Sequence, residues 1–465
     1  MAVAADPPAP PVTLDRESDT PLAVQLADAL RSAAADGRLR SGDRLPSTRA
    51  LATRLKVSRT VTSAAYEQLH AEGWIAGKHG SGTYITTAPP GSLPESAPRP
   101  KRGAATPVLL DLTPGSPWVG GIDRAAWRRA WRAAADAPPL ARPERAGLPD
   151  YRAIIAEHLL RHRGLRVGED ETVLATSGTS AAVSELAFAV LGPGATVAIE
   201  EPGYQRAASA MTAAGLNVVL APVDVEGFRV DAVPAGVKAV YCSPAHQYPL
   251  GGRMPAGRRV ELVERARRDG FLVIEDDYDG ELRYDVAPLP LLAALAPDVV
   301  VHLGTTSKIL TPTLGTGWMV APPSVVAKIL EFRDHTGIGP AVAGQRVLIE
   351  YARNGDLGRH LRRLRRELSE RRSLVVDALR DAGFEVLGDD AGAHVVVPLS
   401  SARVERDVRA KAEQFGARLD GLTRHHAGKP RWYGLALGYA ACSRDELVEV
   451  LPQLIDLLRQ TEGDR

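Results

Sequence analysis

Short runs rich in valine, isoleucine and leucine recur through the second and third quarters of the chain and alternate with stretches of helical composition. A strand of a parallel sheet is apolar along its whole length, because helices cover both faces of the sheet. The pattern therefore predicts an α/β domain with a mainly parallel, doubly covered sheet. The predicted strands are 172–176, 196–200, 217–221, 239–243, 271–276, 299–304 and 317–321.

Ligands of such sheets bind at the carboxyl ends of the strands, so the residues that follow each strand are informative. Ser177, Gly178 and Thr179 open a helix after the first strand, and a glycine turn at a helix N-terminus is suited to an anion. Tyr204 follows the second strand in a Pro-Gly turn. The next strands are followed by the segments PAHQYPLGGRM, DDYDGE and TTSK.

The last of these segments ends in Lys308, and lysine is scarce in this chain. Lysine and arginine together number 57, of which eight are lysine, so arginine supplies most of the positive charge. A partly buried lysine can deprotonate and form a Schiff base, whereas arginine cannot. A phosphate cradle, an aromatic face, an acid, a phenol and this lysine together fit pyridoxal 5′-phosphate (PLP). An ordinary structural lysine is the alternative.

The region before residue 87 predicts a separate DNA-binding domain. Helical spacing of apolar residues covers 21–39, and two short helices follow at 45–57 and 57–73, the second with Ser58 as its N-cap. Two strand-like pieces around a glycine-rich turn complete a winged helix-turn-helix. We therefore predict a winged helix at 14–86, a proline-rich linker at 87–107 and a large domain at 108–465.

The N-terminal turn of the second short helix would enter the major groove of double-stranded DNA, with Arg59 and Thr60 at base edges or phosphates. Arg49 and the tip of the hairpin would meet the flanking backbone or the minor groove. A small helical domain with ordinary surface arginines is the alternative. The predicted DNA-binding residues are Arg49, Ser58, Arg59, Thr60, Lys78, His79 and Gly80.

Other classes of site and location are disfavoured. The formal net charge is +1, so DNA binding requires a local patch rather than a global field. The two cysteines form no CxxC pair and the eleven histidines show no HExxH spacing, so no metal site is predicted. No signal peptide and no apolar run of membrane-spanning length are present, which predicts a cytoplasmic protein without membrane association.

The motifs resemble those of a known family. Residues 45–85, LPSTRALATRLKVSRTVTSAAYEQLHAEGWIAGKHGSGTYI, resemble the winged helix of GntR-type bacterial regulators, although Val61-Thr62 stands where the family more often has threonine and then valine. The segments TSGTS, EEPGYQ, SPAHQYPLGGRM, IEDDYDGELRY and HLGTTSKILTP resemble the fold-type-I aminotransferase domain of MocR-type regulators, which join the two domains by a linker.

The resemblance implies a role for each residue. Lys308 would carry PLP as a Schiff base, and Asp276 would bond the pyridine nitrogen, with Asp277 as the alternative. Tyr278 would reach O3′ of the ring, and Tyr204 would stack on it. The phosphate would be held by Ser177, Gly178 and Thr179 with help from Ser307, while His246 and Gln247 would lie beside the ring.

The chain departs from the family at three positions. Gly315 stands where the family usually has an arginine that contacts the PLP phosphate, and Ser180 stands where glutamine is common. Ala436 stands where aminotransferases carry the arginine for the substrate carboxylate. Arg431 is near in sequence but in another register, and Arg206 is a candidate substitute.

The pattern as a whole predicts a transcriptional regulator. PLP, alone or with an amine or amino-acid effector, would bind the large domain and change DNA affinity. A working aminotransferase and a dimerisation scaffold that has lost PLP are the two alternatives. A homodimer is expected, because the PLP site of this fold usually borrows residues from a partner subunit.

Overall fold

A computed structural model of the chain describes residues 12–78, 82–87, 110–168, 172–285 and 289–463. The chain forms two compact units, Met1–Thr106 and Pro107–Arg465. The predicted linker lies almost entirely outside the described residues. Among the residues described, no helix is both long and apolar enough to cross a membrane.

The N-terminal unit is a winged helix. Helices α2 (Thr48–Leu55) and α3 (Arg59–Ala71) are joined by a turn in which Lys56 has a φ of 53°, and a serine precedes each helix. The Ser47 side chain accepts from the Ala50 N–H, and that of Ser58 accepts from the Val61 N–H, as helix N-caps do. The elements are α1 (Leu22–Ala35), β1 (Arg44–Leu45), α2 (Thr48–Leu55), α3 (Arg59–Ala71), β2 (Ile75–Lys78) and β3 (Gly82–Ile85), with the antiparallel strand order β1-β3-β2.

The unusual threonine of α3 has a structural role in this unit. Thr62 is buried, and its hydroxyl donates to the carbonyl oxygens of Thr48 at 2.9 Å and Arg59 at 3.0 Å. The first of these bonds links α3 to the start of α2. The hydroxyl therefore occupies a core position without leaving a buried polar group unpaired.

An eight-stranded sheet is the centre of the large unit, and all seven predicted strands are found in it. Five neighbouring strands are parallel, while the strand at 317–321 runs antiparallel between those at 172–176 and 300–305, and a short strand at 227–228 runs antiparallel at one edge. The prediction of a mainly parallel sheet is confirmed. In spatial order the strands are β5 (Thr172–Thr176), β12 (Gly317–Ala321), β11 (Val300–Thr305), β10 (Leu272–Asp277), β9 (Ala239–Cys242), β6 (Thr196–Glu201), β7 (Asn217–Asp224) and β8 (Gly227–Phe228).

Both faces of this sheet are covered by apolar side chains. Val273 and Val300 belong to one buried cluster, whereas the next residues, Ile274 and Val301, belong to another. This alternation follows from the pleat of a strand, which directs successive side chains to opposite faces. Neighbouring residues at the end of β10 therefore also face opposite sides of the sheet.

The remaining elements cover the sheet and form a smaller C-terminal layer. Three strands pair in the order β13-β16-β15, and β14 pairs with β4. The helices are α4 (Arg124–Asp136), α5 (Pro149–Arg163), α6 (Thr179–Leu186), α7 (Gln205–Ala213), α8 (Ala256–Asp269), α9 (Leu292–Leu295), α10 (Pro323–Thr336), α11 (Val342–Arg353), α12 (Asp356–Asp381), α13 (Ala402–Gln414) and α14 (Arg444–Gly463). The strands are β4 (Leu110–Asp111), β13 (His394–Pro398), β14 (Ala417–Arg418), β15 (Asp420–Gly421) and β16 (Gly434–Gly438).

Candidate functional site

A cavity of about 580 Å³ opens at the carboxyl ends of the parallel strands. Segments that follow β5, β6, β10 and β11 line it, together with residues 113–117 and part of the C-terminal layer. We call it the large cavity. Of the ten residues predicted to contact the cofactor, eight line it: Ser177, Gly178, Thr179, Tyr204, Asp276, Tyr278, Ser307 and Lys308.

Lys308 lies three residues beyond the end of β11. Its Nζ donates to the Gly115 carbonyl oxygen at 2.7 Å. Burial lowers the pKa of Lys308 below its ordinary value, and the nearby carboxylates of Asp279 and then Asp276 act in the opposite direction. A lysine of lowered pKa is more readily deprotonated, which Schiff-base formation with an aldehyde requires.

Asp276 and Asp277 lie at the end of β10 and face opposite sides of the sheet. Asp276 lines the large cavity, whereas Asp277 accepts from Nη2 of the buried Arg163 at 2.5 Å. One oxygen of Asp276, Oδ2, accepts from the Tyr241 hydroxyl, and the other, Oδ1, is buried without a hydrogen-bond partner among the described residues. Burial raises the pKa of Asp276 to about 7.

The unpartnered Oδ1 of Asp276 is a test of whether these residues suit PLP. A buried carboxylate oxygen without a donor is costly, and the N–H of a protonated pyridine ring supplies both a donor and a positive charge. The residues at this end of the cavity therefore fit the pyridine ring of PLP.

Another part of the cavity lining has the chemistry of a phosphate site. Gly178, with a φ of 109°, immediately precedes α6 and lines the cavity with the first residues of that helix. The backbone N–H groups of the first turn of a helix have no partner within the helix and can therefore bind a phosphate. Hydroxyl groups of Thr305 and Ser307, which are 2.9 Å apart, add donors. Gly315, where the family has arginine, has a φ of 61°, and no atom would lie within 4 Å of a Cβ added there.

Of the residues predicted to lie beside the ring, the aromatic one lines the cavity and the two polar ones do not. Tyr204 lines the large cavity, and its hydroxyl lies 3.0 Å from Oγ of Ser180, the residue that replaces the family's glutamine. His246 and Gln247 are buried but do not line the cavity. The Gln247 amide donates to the carbonyl oxygens of Pro202 and Tyr248 and thereby supports the turn behind the site.

Several lining residues were not singled out from the sequence as ligand contacts. Asp279 lies within the quoted segment DDYDGE, so its position was a signal that sequence reasoning passed over. Gln205, Tyr248, Thr305 and Pro312 also lie within quoted segments. The others come from parts of the chain in which no segment was quoted, and they are Thr113, Pro114, Gly115, Ser116, Pro117, Ala393, His394, Arg424 and His425.

The expected carboxylate arginine is absent from the cavity. Ala436 is buried in β16, and Arg431 lines a separate cavity of about 360 Å³ with Glu201. Of the described arginines, Arg206 and Arg424 line the large cavity, and Arg424 is paired with Asp420. Arg206 is therefore the guanidinium of this cavity that has no ion pair in the described part of the chain.

The predicted DNA-binding residues of α2 and α3 and the N-cap Ser58 lie at the surface of the winged helix. Arg49 is in the first turn of α2, and Arg59 and Thr60 open α3; all three side chains are exposed. The guanidinium groups of Arg49 and Arg59 form no ion pair within the described residues. Ser58 caps α3, and Lys78 ends β2. His79 and Gly80 lie outside the described residues.

Two family models match the chain, one in each of its two units. Residues 22–85 match the family of bacterial regulatory proteins named gntR, and residues 122–427 match aminotransferase class I and II. The chain is 36% identical over 448 residues to the HTH-type pyridoxine biosynthesis transcriptional regulator PdxR of Corynebacterium glutamicum, covering 96% of this chain and 98% of that protein. It is 30% identical over 463 residues to the probable rhizopine catabolism regulatory protein MocR of Rhizobium meliloti, covering 92% of each.

A solved structure shows a similar large unit. The kynurenine aminotransferase of Pyrococcus horikoshii, crystallised with PMP, superimposes with a TM-score of 0.70 at 26% identity. The match covers 76% of this chain and 92% of that protein. The fold of the large unit is therefore that of an aminotransferase.

Proposed function

Since this chain belongs to the MocR-type branch of the GntR-family transcriptional regulators, we propose that PLP in the large cavity sets the affinity of the winged helix for its operator. The chain is a DNA-binding regulator with a PLP-binding, aminotransferase-like domain. The observation that carries the proposal is that Lys308 and Asp276 line one cavity, and that Oδ1 of Asp276 has no hydrogen-bond partner among the described residues.

Each residue of the cavity has a defined task in this proposal. PLP supplies an aldehyde that reacts reversibly with amines. Lys308 provides the protein's own amine, and Asp276 holds the pyridine nitrogen. Ser177, Gly178 and Thr179 hold the phosphate at the start of α6. An incoming amine or amino acid would compete with Lys308 for the same aldehyde, which gives the site a means of sensing amines.

Sensing is a better account of this cavity than turnover. Ala436 cannot bind a substrate carboxylate, and the phosphate end lacks the arginine expected at Gly315. PLP or an effector changes DNA binding only if it binds two states of the protein with different affinity. We propose that these two states differ in the arrangement of a homodimer, which acts in the cytoplasm.

The relatives suggest which genes to examine first. The protein of Corynebacterium glutamicum is named for pyridoxine biosynthesis, and that of Rhizobium meliloti for rhizopine catabolism. We propose vitamin B6 supply as the first candidate target and amine catabolism as the second. In the first case PLP itself is the signal, and in the second it is the reagent that captures the signal.

The first experiment is the absorption spectrum of the purified protein after PLP has been added and the free cofactor removed by desalting. We expect a retained Schiff-base band that Lys308→Ala abolishes. Lys328→Ala, which replaces an exposed lysine of α10, is the matched control and should keep the band. A wild-type protein without a retained band would favour the scaffold alternative.

The second experiment measures binding to the DNA upstream of the protein's own and neighbouring operons, with and without PLP. We expect a specific gel shift whose midpoint changes when PLP is present in the wild type but not in Lys308→Ala. Multiple-turnover conversion of an amino acid to its keto acid would instead favour the aminotransferase alternative.

A further inference from the structure

One nitrogen of a buried histidine has two neighbours beside the large cavity. Nδ1 of His246 lies 2.8 Å from Oδ2 of Asp279 and 3.0 Å from the hydroxyl of Tyr278. An imidazole nitrogen carries either a hydrogen or a lone pair. If Nδ1 donates to Asp279, it cannot also accept the hydroxyl proton of Tyr278.

We propose that Asp279 is a positioning residue for PLP: it fixes the hydrogen of His246 on Nδ1, so that the Tyr278 hydroxyl keeps its proton free to donate to O3′ of the cofactor. Without the carboxylate, the hydrogen of His246 is no longer held on Nδ1, and in the tautomer with the hydrogen on Nε2 the bare Nδ1 accepts from Tyr278 and turns that proton away from the cavity. The proposal rests on the PLP binding put forward above and assigns Asp279 and His246 roles in it.

The other nitrogen of His246 supports this tautomer. Nε2 is buried and has no hydrogen-bond partner among the described residues. A hydrogen on Nε2 would therefore be a buried donor without an acceptor, which costs free energy. With the hydrogen on Nδ1, the Asp279 carboxylate accepts it, and the unpaired group is only the lone pair of Nε2.

Close packing keeps the pair of side chains in place. Gly392 has a φ of 74°, and a Cβ added there would lie 2.1 Å from Cε1 of His246 and 2.9 Å from Oδ2 of Asp279. The histidine and the carboxylate thus fill the space that a side chain at position 392 would need. Neither group has room to turn away from the other on this side.

Tyr278 is suited to donate its proton. Burial, and next the negative charge of Asp279, raise its pKa above the ordinary value, so the hydroxyl stays protonated. Tyr278 and Asp279 both line the large cavity. The charged groups that face Lys308 are Asp279, Asp276 and Arg206, so Asp279 also acts on the Schiff base directly through its charge.

These two actions of Asp279 have opposite signs in a pH titration. Loss of the negative charge lowers the pH at which the Schiff base deprotonates, because a negative neighbour favours the protonated form. Loss of the Tyr278 donor raises that pH. A donor to O3′ stabilises the negative charge on this oxygen, and without the donor the oxygen holds the Schiff-base proton more strongly. A test must therefore hold the charge constant.

The test compares Asp279→Leu with Asp279→Asn in the PLP-loaded protein, by following the Schiff-base absorption band against pH. Both variants remove the charge, but the asparagine amide can still occupy Nδ1 of His246. We expect the midpoint of the leucine variant to lie about half to one pH unit higher, the size of one net hydrogen bond. In a Tyr278→Phe background, the two variants should titrate together.

Equal midpoints for the two variants, or a difference that persists with Tyr278→Phe, would overturn the proposal. The single variant Tyr278→Phe, which removes only the hydroxyl, is also titrated. A midpoint equal to that of wild type would likewise contradict the proposal. A wild-type protein that retains no band contradicts the proposed PLP function itself. A retained band with equal midpoints contradicts only the role of Asp279.

Discussion

The winged helix and the large cavity hold the residues that we propose to be functional in opposite ways. Arg49 and Arg59 are exposed, and their guanidinium groups form no ion pair within the described residues. Asp276 is buried and bonded to Tyr241, and Tyr278 lies against His246. A surface that reads DNA can be altered without disturbing the core beneath it. A site built from buried polar groups makes cofactor binding and stability depend on the same side chains.

The largest expected effect concerns the buried polar groups of the large cavity. Burial raises the pKa of Asp276 from 3.8 to about 7, so the folded protein without PLP loses stability as pH rises through that interval. Asp276→Asn has no charge to bury. At pH 8 we expect it to exceed PLP-free wild type by about 2 to 4 kcal/mol in urea unfolding, with the difference shrinking towards pH 4.

PLP should reverse this ranking at pH 8, because its pyridinium pairs with the ionised aspartate and not with asparagine. A stability difference that is the same at pH 5 and pH 8 would show that Asp276 is not the group that titrates.

The next effect tests the exposed half of the comparison. We expect Arg59→Ala to weaken operator binding by about tenfold to a hundredfold, the range for loss of a specific arginine contact. The thermal midpoint of the protein should not change. Arg38→Ala, which removes an arginine that is paired with Asp36 and lies outside the helix-turn-helix, is the control and should bind DNA like wild type. A fall in thermal stability with Arg59→Ala would break the comparison.

An effect of similar size is expected where the family contacts the PLP phosphate. Gly315→Arg restores the family's residue and gains a charge-assisted bond of about 1.5–3 kcal/mol. A φ of 61° costs a side chain about 1–2 kcal/mol, but this cost is present with and without PLP and lowers the stability of the protein rather than its PLP affinity. We therefore expect PLP to bind about tenfold to a hundredfold more tightly, as measured by titration of the Schiff-base band.

Gly337→Arg is a matched control for that experiment. Gly337 has a φ of 73° and equally open space, and it lies at the end of α10, whereas Gly315 follows closely after Pro312, which lines the large cavity. It should carry a similar conformational cost and leave PLP affinity unchanged. Equal PLP affinity of the Gly315→Arg variant and this control would place the phosphate away from residue 315.

The smallest effect concerns the core of the winged helix. Thr62→Val removes a net hydrogen bond of about 1 kcal/mol and buries an extra methyl group that returns about 0.8 kcal/mol. We expect local stability to change by less than about 1 kcal/mol, measured by hydrogen exchange of peptides from 22–85 in the full-length protein. A larger loss would mean that the bond from Thr62 to Thr48 fixes the angle between α2 and α3.

The sequence predicted the residue types of the site because strand ends are local features. Runs of apolar residues located the strands, and the carboxyl-end rule then selected Ser177, Asp276 and Lys308. The alternation of a strand, once its register is known, separates Asp276 from Asp277. Before that register was known, the choice of Asp276 over Asp277 rested on the family resemblance.

What the sequence did not reveal depends on contacts between distant segments. The Lys308–Gly115 bond joins residues 193 positions apart, and the Arg163–Asp277 pair joins residues 114 positions apart. Partners at such separation are set by the packing of whole elements. The role of Asp279 also required the position of His246, because a carboxylate in a polar turn has many equivalent uses until its neighbour is known.

The bond between Lys308 and Gly115 has a consequence for the order in which the protein matures. A ribosome completes the winged helix, which ends at residue 85, long before it has made the lysine. The residues that line the cavity include His425, so a nascent chain has its winged helix well before it has a complete PLP site. Cofactor therefore loads only finished chains, and newly made protein in a cell short of PLP is in the unloaded state.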